Sequence, residues 1–454
     1  MRGAFRVTDS NSRTGPAVFS GRLSFILAAA GAAVGLGNIW RFPFVAGENG
    51  GGAFLLPYLL AVVLLAGPAM LLEIAAGRST RKGVVGTFTE ASRFGRWPGV
   101  LIALAALGLV SYYLVVTGWA LGYLAHAVAG SHPSFGDFTS GNNSLWYFGL
   151  AVAVSASVVI LGVNRGIETM SRVLVPALFL MLVALAIYGL SLPSRDEALR
   201  FYLSPDFGDL SRPIVWVRAA GQAFFSVGVG MGVLITYGAY ASERERLVPS
   251  AAAVVVADVV VAILAGLVIF PLAFSHGTDV AAGPELAFET LPKAFEDFGA
   301  VASYSVAVGF YLALSVAAIT SAVSLLETVT AALGDVTALS RVQAIGVTTV
   351  ATVLLGIPSA LSYTGAELRI GDVLFFELMD TATGTIGLAV GALITTLVLG
   401  WAGRRSVLAA LESSGFPGAA STWFARWIVP VAITVLLFAM TLDLVRHRIL
   451  PEGG

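Results

Sequence analysis

Eleven long apolar runs constrain the fold of this chain more than any other feature of its sequence. A helix needs about 20 mostly apolar residues to cross the hydrocarbon core of a bilayer, which is roughly 30 Å thick. The runs, which we number spans 1 to 11, lie near residues 23–46, 53–74, 98–127, 146–163, 172–193, 214–240, 251–274, 301–333, 342–362, 375–401 and 423–445. The sequence therefore predicts an all-α integral membrane protein with about eleven transmembrane helices.

The composition agrees with a membrane location and excludes several other classes of protein. Of the 454 residues, 57% are hydrophobic and only 12% are charged, whereas a soluble domain typically has about 25% charged residues. The net charge of −1 and the absence of long basic segments give no support to nucleic-acid binding. The chain has no cysteine, so disulfides and thiolate metal sites are excluded.

The positions of lysine and arginine predict the orientation of the chain. Cytoplasmic loops of membrane proteins are enriched in these residues. With the N-terminus inside, seventeen of the 26 lysines and arginines fall on the cytoplasmic side. Residues 1–22 then form a cytoplasmic tail, and residues 402–454 hold span 11 and a C-terminal tail. We expect a multi-pass protein of the cell inner (plasma) membrane with a cytoplasmic N-terminus.

A cluster of helix-breaking and polar residues interrupts span 1. The segment 31–49 reads GAAVGLGNIWRFPFVAGEN and holds three early glycines followed by Asn38 and Arg41. Glycine costs about 1 kcal/mol relative to alanine in a helix, and a charge at membrane depth costs at least about 2.5 kcal/mol. Free backbone groups are tolerated there only where they line an enclosed cavity. We interpret the cluster as a ligand site; the alternative is that Gly31 and Gly35 only allow close helix packing.

A second interruption, in span 6, corresponds to the first. Residues 221–238 read GQAFFSVGVGMGVLITYG and place three alternating glycines within 228–232. Spans 1 and 6 are five apart, so the breaks fall at equivalent positions of two five-helix halves. Such a pair of breaks is typical of inverted-repeat transporters with a binding site at the bilayer midplane. We therefore predict a first repeat at 23–193 and a second at 194–401.

The residues around both interruptions resemble those of a known family. GAAVGLGNIWRFP, which begins at Gly31, and ENGGGAFLLPY at 48–58 closely resemble the signature of the neurotransmitter:sodium symporter family. The similarity continues through SYYLVVTGWALGY in span 3, GQAFFSVGVGMG in span 6, AAITSAVSLLE in span 8 and MDTATGTIG in span 10. The count of eleven spans resembles the bacterial branch. The resemblance implies the LeuT-type fold, a 5+5 inverted repeat with broken helices 1 and 6, and sodium-coupled transport by alternating access.

The resemblance implies two sodium sites built only from oxygen ligands. The first, Na1, would be formed by Ala33, Asn38, Ser226 and Asp258, with the substrate carboxylate completing the shell. The second, Na2, would be formed by the carbonyls of Gly31, Val34 and Ala317 and the hydroxyls of Thr320 and Ser321. Half-helix ends and loose carbonyls suit a cation in such folds. The alternative for Thr320 and Ser321 is that both hydroxyls only bond back to their own helix.

The resemblance also implies a substrate pocket between the two interrupted helices. Tyr113 stands where the family uses a tyrosine hydroxyl to hold the substrate carboxylate, and Phe225 resembles an aromatic lid. The implied substrate-binding residues are Ala33, Leu36, Gly37, Leu109, Tyr113, Phe225, Ser226, Gly228, Met231, Ser321 and Leu325. Gly228 and Met231 replace a hydroxyl residue and a phenylalanine that are common in other members, so the pocket gains room and a pliable wall. We expect a neutral, hydrophobic amino acid, either aliphatic or aromatic.

Gate residues follow from the same resemblance. Arg41 and Asp380 correspond to the family's outer gate, a charge pair bridged by water, although a static structural pair is the alternative. Asp335 matches the aspartate of the inner gate. The arginine of that gate is displaced in this sequence, because Pro16 stands near its position and Arg13 is the nearest candidate.

Two supporting features are implied in spans 2 and 5. Glu73 matches an acid that accepts hydrogen bonds from the free amides of span 6. Gly166 and Pro176 have the spacing that the family uses to unwind the inner half of span 5. Proline removes one backbone donor and clashes with the carbonyl one turn earlier, so unwinding has a local cause. An ordinary kink is the alternative.

Three positions predict a zwitterionic substrate and no requirement for chloride. Monoamine carriers of the family place an aspartate where this chain has Gly35, so the substrate must bring its own carboxylate. Chloride-dependent members carry a serine in span 7 where this chain has Ala262. One turn earlier, Asp258 replaces the family's asparagine, so a fixed carboxylate would offset the first sodium and could take a proton when the ion leaves, giving proton antiport. The alternative is an acid satisfied only by water or a neighbouring hydroxyl.

The function predicted from the sequence is a sodium-coupled amino-acid symporter and not an enzyme, because no nucleophile, base and orienting group occur together. The alternative is an amino-acid sensor or channel-like protein on the same fold without coupled transport. Polar residues concentrate at two broken helices rather than along a continuous path, which favours a carrier. We expect sodium, a small-molecule substrate and membrane lipid as partners, and a monomer or weak homodimer.

Overall fold

The computed structural model describes residues 18–205, 207–275, 299–402 and 416–449, with the single residues 277, 280, 288 and 411. The predicted tail up to residue 17, with Arg13 and Pro16, lies outside the described residues. The spans comprise Arg22–Ala33 with Gly37–Glu48, Gly52–Thr80, Arg96–Val128, Asn143–Ile160, Val163–Gly189, Pro213–Val227 with Val233–Ala239, Leu247–Ser275, Ala300–Val336, Arg341–Leu361, Phe375–Trp401 and Gly418–Ala439. Shorter helices occupy Val84–Ala91, Phe135–Ser140, Arg195–Leu203 and Asp209–Ser211.

The number of membrane-spanning helices agrees with the sequence prediction. In the described part of the chain, nine helices are long and apolar enough to cross a membrane, and the bent pair of span 1 makes ten. The two halves of span 6, separated by five residues, supply the eleventh when they are counted together. We call the end of the bundle at which span 1 begins the inner end.

Span 5 begins earlier than the sequence predicts. Its helix starts at Val163 rather than near residue 172, because the polar residues of this stretch are not in a loop. Glu168 and Arg172, one turn apart, form an ion pair with each other, and such a pair supports a helix. The first turn, Val163–Glu168, has the wider π geometry.

Two very short strands are the one departure from an all-helical chain among the described residues. Strand β1, Arg369–Ile370, pairs antiparallel with strand β2, Val373–Leu374, in the connection between spans 9 and 10. Arg369 lies opposite Leu374 and Ile370 opposite Val373. Each strand has only two residues, which is too short for the alternation of apolar and polar residues that predicts a strand from sequence.

Spans 3 and 8 lie at the centre of the bundle. In their most apolar windows 67% of span 3 and 78% of span 8 are buried, compared with 28% of span 5. Span 8 packs against the first half of span 1 and the second half of span 6, and Tyr113 of span 3 contacts the first break at the Leu36 amide. The residues of both breaks are therefore largely enclosed by protein. Such enclosure is the condition under which free backbone groups are tolerated at membrane depth.

Both predicted breaks are present and have local causes. The first helix of span 1 ends where Val34 turns extended, with φ −73° and ψ 93°, and its second half resumes at an angle of 48°. In span 6 the residues Gly228, Gly230 and Gly232 have φ of +75°, +88° and +77°. Residues with a side chain rarely adopt this region, so the three glycines fix the break between Val227 and Val233.

Candidate functional site

A cavity of about 30 Å³ lies beside the two breaks, between spans 1, 3, 6 and 8. Its lining includes nine of the eleven predicted pocket residues, namely Ala33, Gly37, Leu109, Tyr113, Phe225, Gly228, Met231, Ser321 and Leu325. The remaining two, Leu36 and Ser226, are buried next to it. Among the lining residues that the structure describes, the side-chain polar groups are the hydroxyls of Tyr113 and Ser321. The cavity is therefore apolar with one polar corner.

The polar corner is formed by the backbone of the first break. The Leu36 amide donates a hydrogen bond of 3.0 Å to the Tyr113 hydroxyl, so that hydroxyl keeps its own proton for another acceptor. A Cβ atom on Gly35 would lie 2.6 Å from the Tyr113 oxygen and 2.4 Å from the Ser321 oxygen. Position 35 therefore has no room for a side chain while these hydroxyls stay in place.

A carboxylate cluster, formed by Asn38, Tyr58, Ser226 and Asp258, lies next to the cavity. The Asn38 amide donates to Asp258 Oδ1 at 2.8 Å and to Ser226 Oγ at 2.9 Å. Ser226 donates to the Asp258 carboxylate at 2.8 Å, and the Tyr58 hydroxyl lies 3.4 Å from Asp258 Oδ2. All four side chains are buried. The structure thus joins three of the four residues predicted for Na1, and the fourth, Ala33, lines the cavity.

The carboxylate cluster has no cationic side chain. Among the described residues the hydrogen-bond donors to the Asp258 carboxylate are an amide and two hydroxyls, and no lysine, arginine or histidine pairs with it. A buried charge without a partner of opposite sign is costly. The arrangement therefore suits either a bound cation or a bound proton.

A second group, the hydroxyl cluster of Gly31, Ala317, Thr320 and Ser321, joins span 8 to the first half of span 1. Ser321 Oγ donates across the interface to the carbonyls of Gly31 and Ala32, at 3.3 Å and 3.1 Å. Thr320 donates back to Ala317 O at 2.9 Å. The alternative of back-bonding thus describes Thr320 but not Ser321. Val34, also predicted for Na2, lies in the extended turn that follows Ala33.

The predicted outer-gate residues are each held by neutral neighbours. Arg41 donates to Gln222 Oε1 at 2.8 Å, and its guanidinium carbon lies 4.6 Å from the centroid of the Phe225 ring. Asp380 accepts from the Tyr112 hydroxyl at 2.8 Å. No direct ion pair joins Arg41 and Asp380 in the described part of the chain. Phe225 therefore lies between the cavity and Arg41.

Glu73 lies against the break in span 6. It is fully buried, and its Oε1 accepts a hydrogen bond of 2.9 Å from the Gly230 amide. The amide of Gly230 has left the helical ladder, so it needs an acceptor from outside its own helix. Glu73 of span 2 supplies that acceptor.

Comparisons with known proteins identify the family. A sequence model described as the sodium:neurotransmitter symporter family matches residues 17–136 and 136–450. The chain belongs to this family. A sodium-dependent transporter of Bacillus subtilis named YhdH is 34% identical over 93% of this chain and 97% of its own length. A sodium-dependent transporter of Haemophilus influenzae is 31% identical, with the same two coverages. The protein is therefore a sodium-dependent membrane transporter and not an enzyme.

A solved structure shows the fold of this transporter. The crystal structure of MhsT in complex with L-phenylalanine superimposes with a TM-score of 0.86, at 37% sequence identity, and covers 94% of this chain and 100% of that one. The predicted LeuT-type fold, with broken helices 1 and 6, is confirmed by this likeness.

At the inner end of this transporter, Asp335 accepts hydrogen bonds from backbone amides, and no described arginine pairs with it. Its carboxylate accepts from the amides of Gly83 and Gly86, at 3.2 Å and 2.8 Å. These amides lie at the start of the helix Val84–Ala91, where free donors favour a negative charge. Arg13, the predicted gate partner, lies outside the described residues.

The inner part of span 5 is helical and bonded to span 1. Gly166 lies in the π turn and Pro176 within the following helix, so this conformation contains no unwound segment between them. Between the two, Glu168 accepts hydrogen bonds from Ser20 and Ser24 at the start of span 1. Unwinding of span 5 stays a prediction, and it would require these bonds to break.

Three polar residues near the site were not found from the sequence. Tyr58 donates to the carboxylate cluster, Tyr112 holds Asp380, and Gln222 joins Arg41 to the backbone by donating to Gly37 O at 2.8 Å. Each is a polar side chain inside an apolar span, and this feature of the sequence indicates a buried polar contact. The sequence alone does not say which face of the helix each one occupies.

Proposed function

We propose that this protein is a sodium-coupled symporter of neutral, hydrophobic amino acids that works by alternating access and needs no chloride. The observation that carries the proposal is the buried Asp258 carboxylate, which lies beside the apolar cavity and whose hydrogen-bond donors among the described residues are all neutral. A cation bound there is neutralised by the protein itself. The following points support the individual parts of the proposal.

We assign the first sodium to the carboxylate cluster, with Asn38, Ser226, Asp258 and the carbonyl of Ala33 as ligands. Carboxylate, hydroxyl and carbonyl oxygens are suited to hard cations. Rotation of the Asn38 amide by half a turn would bring its oxygen to the face that now donates to Asp258. The substrate carboxylate would complete the shell from the cavity side.

We assign the second sodium to the hydroxyl cluster, with Gly31, Val34, Ala317, Thr320 and Ser321 as ligands. Ser321 already spans the gap between spans 1 and 8, and a Cβ on Gly31 would lie 3.5 Å from the Thr320 Cβ. The approach of carbonyls and hydroxyls from two helices supports a cation site. A rotation of the Thr320 side chain away from Ala317 O would free its oxygen.

We assign the substrate to the cavity, with its carboxylate at the polar corner and its side chain toward Leu109, Met231 and Leu325. Tyr113 has a proton to donate, and the absence of a side chain at Gly35 lets the Tyr113 and Ser321 hydroxyls approach the backbone and form the corner. A Cβ on Gly228 would meet no atom within 4 Å, which supports widening of the roughly 30 Å³ cavity on this side when a large side chain binds. The phenylalanine in the MhsT structure is consistent with this class of substrate.

We propose that Arg41, Asp380 and the Phe225 ring close the outer side of the site, and that Asp335 and the unwinding of span 5 act at the inner side. The excess of lysine and arginine at the inner end supports a cytoplasmic N-terminus. Residues 23–193 and 194–401 would then be the two five-helix repeats.

Uptake into liposomes tests this function. Purified protein in vesicles should accumulate labelled L-phenylalanine or L-leucine when sodium is high outside, and should not when potassium replaces it. Vesicles loaded with sodium on both sides serve as the control, because they hold the ion without the gradient. Sodium-dependent ligand binding without gradient-driven accumulation would instead support the sensor, and passive, unsaturable flux would support the channel-like alternative.

A further inference from the structure

An exposed patch of aromatic residues lies at the inner end, where spans 10 and 11 meet. Trp401, Trp423 and Trp427 are 46%, 51% and 51% exposed. The rings of Trp401 and Trp427 meet edge to face with centroids 4.4 Å apart, and Trp401 Nε1 donates to the Arg426 carbonyl at 3.0 Å. Tryptophan is enriched where membrane proteins cross the headgroup level. We call these three residues and Arg426 the Trp–Arg patch.

The guanidinium of Arg426 has no acceptor in the described part of the protein. Its Cζ lies 5.0 Å from the centroid of the Trp401 ring, and its Nε is buried without a hydrogen-bond partner. No carboxylate of the described residues pairs with it. By contrast, Arg341 at the start of span 9 pairs with Glu327 at 2.7 Å, and Arg172 of span 5 pairs with Glu168. A charged side chain within a membrane span is costly unless it is paired.

We propose that Arg426 binds the phosphate of a membrane phospholipid, with the exposed tryptophans of the Trp–Arg patch packing against its glycerol and upper acyl chains. The guanidinium presents its donors as a planar fork that matches two phosphate oxygens. An anionic phospholipid is favoured over a zwitterionic one, because its headgroup carries no cation to oppose Arg426. The lipid replaces the carboxylate partner that Arg341 and Arg172 have within the protein.

The aromatic neighbours favour a lipid over a free phosphate ion. A phosphate ion gains binding free energy from the guanidinium alone. A phospholipid also covers the exposed apolar rings around Arg426. Burial of such apolar surface is favourable. The two sources share the phosphate chemistry and differ in this apolar contribution, so competition can separate them.

The test measures phosphatidylglycerol that stays bound to the full-length protein. Detergent-purified wild type, Arg426→Gln, Arg426→Lys and Arg93→Gln are washed through lipid-free detergent, and retained phosphatidylglycerol is counted by mass spectrometry. Arg93 is the matched control because it also lies over an aromatic ring, 4.5 Å from the centroid of Phe94, but outside the patch. Loss of a charge-assisted hydrogen bond should reduce retention in Arg426→Gln by about tenfold. Arg93→Gln should retain as much as wild type.

Competitors then separate the two sources of phosphate. Short-chain phosphatidylglycerol should displace the retained lipid at concentrations where inorganic phosphate does not. Displacement by inorganic phosphate at equal concentration would overturn the lipid assignment. Wild-type retention in Arg426→Gln, or an equal loss in Arg93→Gln, would overturn the role of Arg426. If Arg426→Gln does not fold, the test rests on Arg426→Lys, which keeps the positive charge and loses the planar pair of donors. Reduced retention of phosphatidylglycerol in that variant supports the proposal, and wild-type retention overturns it.

Discussion

The carboxylate cluster and the hydroxyl cluster lie on either side of the first break and differ in one respect above all. Both join span 1 to another span beside the same cavity, and both consist of oxygen-bearing groups. The carboxylate cluster contains the buried Asp258, whereas the hydroxyl cluster contains only carbonyls and hydroxyls. One cluster therefore contains a group that can carry a negative charge, and the other contains none.

This difference in charge determines at which cluster a mobile anion would help to neutralise a bound sodium ion. A cation at the carboxylate cluster cancels a charge that burial makes costly. A cation at the hydroxyl cluster brings a net charge that only dipoles stabilise. A mobile anion next to the carboxylate cluster would be repelled by Asp258, so the proposed independence from chloride follows from that cluster alone.

Removal of the charge from the carboxylate cluster should reduce sodium affinity the most. Asp258→Ala takes away the acceptor of bonds from Asn38 and Ser226 and leaves their donors unmatched. Breaking a buried charged network costs about 3 kcal/mol or more, which corresponds to a hundredfold or greater loss of sodium affinity. Sodium titrations of ligand binding by scintillation proximity measure this. An affinity within a few fold of wild type would mean that Asp258 does not bind the ion.

Asp258→Asn is the matched control, because it keeps the shape and removes only the charge and its titration. In wild type a proton on Asp258 neutralises the carboxylate, so acid should compete with sodium and the sodium needed for half-maximal binding should rise as pH falls. The asparagine variant should lose this dependence. A pH profile that is the same in both proteins would assign the competition to another group.

Removal of a neutral ligand from the hydroxyl cluster should reduce sodium affinity less than removal of the Asp258 carboxylate. Ser321→Ala removes one hydroxyl that joins spans 1 and 8, and a typical hydrogen bond contributes about 1 kcal/mol. We expect sodium affinity to fall about fivefold, with no change in pH dependence. Ser305→Ala in the same span is the control, since that hydroxyl is exposed and bonds only to Val301 O. A loss as large as that of Asp258→Ala would remove the distinction between the clusters.

A substitution at the edge of the carboxylate cluster should reduce sodium affinity the least. Tyr58→Phe removes a hydroxyl that lies 3.4 Å from Asp258 Oδ2 and 3.3 Å from Ser226 Oγ. Both contacts are long, so we expect sodium affinity to change by about threefold or less. Direct binding of sodium, measured with the radioactive ion, detects a change of this size. A tenfold loss would show that Tyr58 orients the carboxylate.

The sequence predicted the parts of the site that have local causes. Three alternating glycines placed the break in span 6, and their positive φ values show why. Asn38, Ser226 and Asp258 were predicted together through the family resemblance, and the structure brings them within hydrogen-bond distance. The apolar runs predicted the spans because the bilayer sets their length.

The parts that the sequence missed depend on tertiary packing. The contacts of Tyr58 and Gln222 are set by how spans 2 and 6 rotate against span 1. Span 5 begins earlier than predicted because Glu168 finds partners at the start of span 1. The arginine that was expected to face Asp335 lies outside the described residues, so the inner gate stays a prediction.

Replacement of chloride by gluconate shows whether transport needs a mobile anion beside Asp258. Sodium-driven uptake of L-phenylalanine is measured in liposomes with sodium held constant and chloride replaced by gluconate on both sides. The fixed carboxylate of Asp258 predicts the same uptake in both media, and predicts that the double variant Asp258→Asn with Ala262→Ser becomes dependent on chloride. Wild-type uptake that falls several-fold in gluconate would contradict the account.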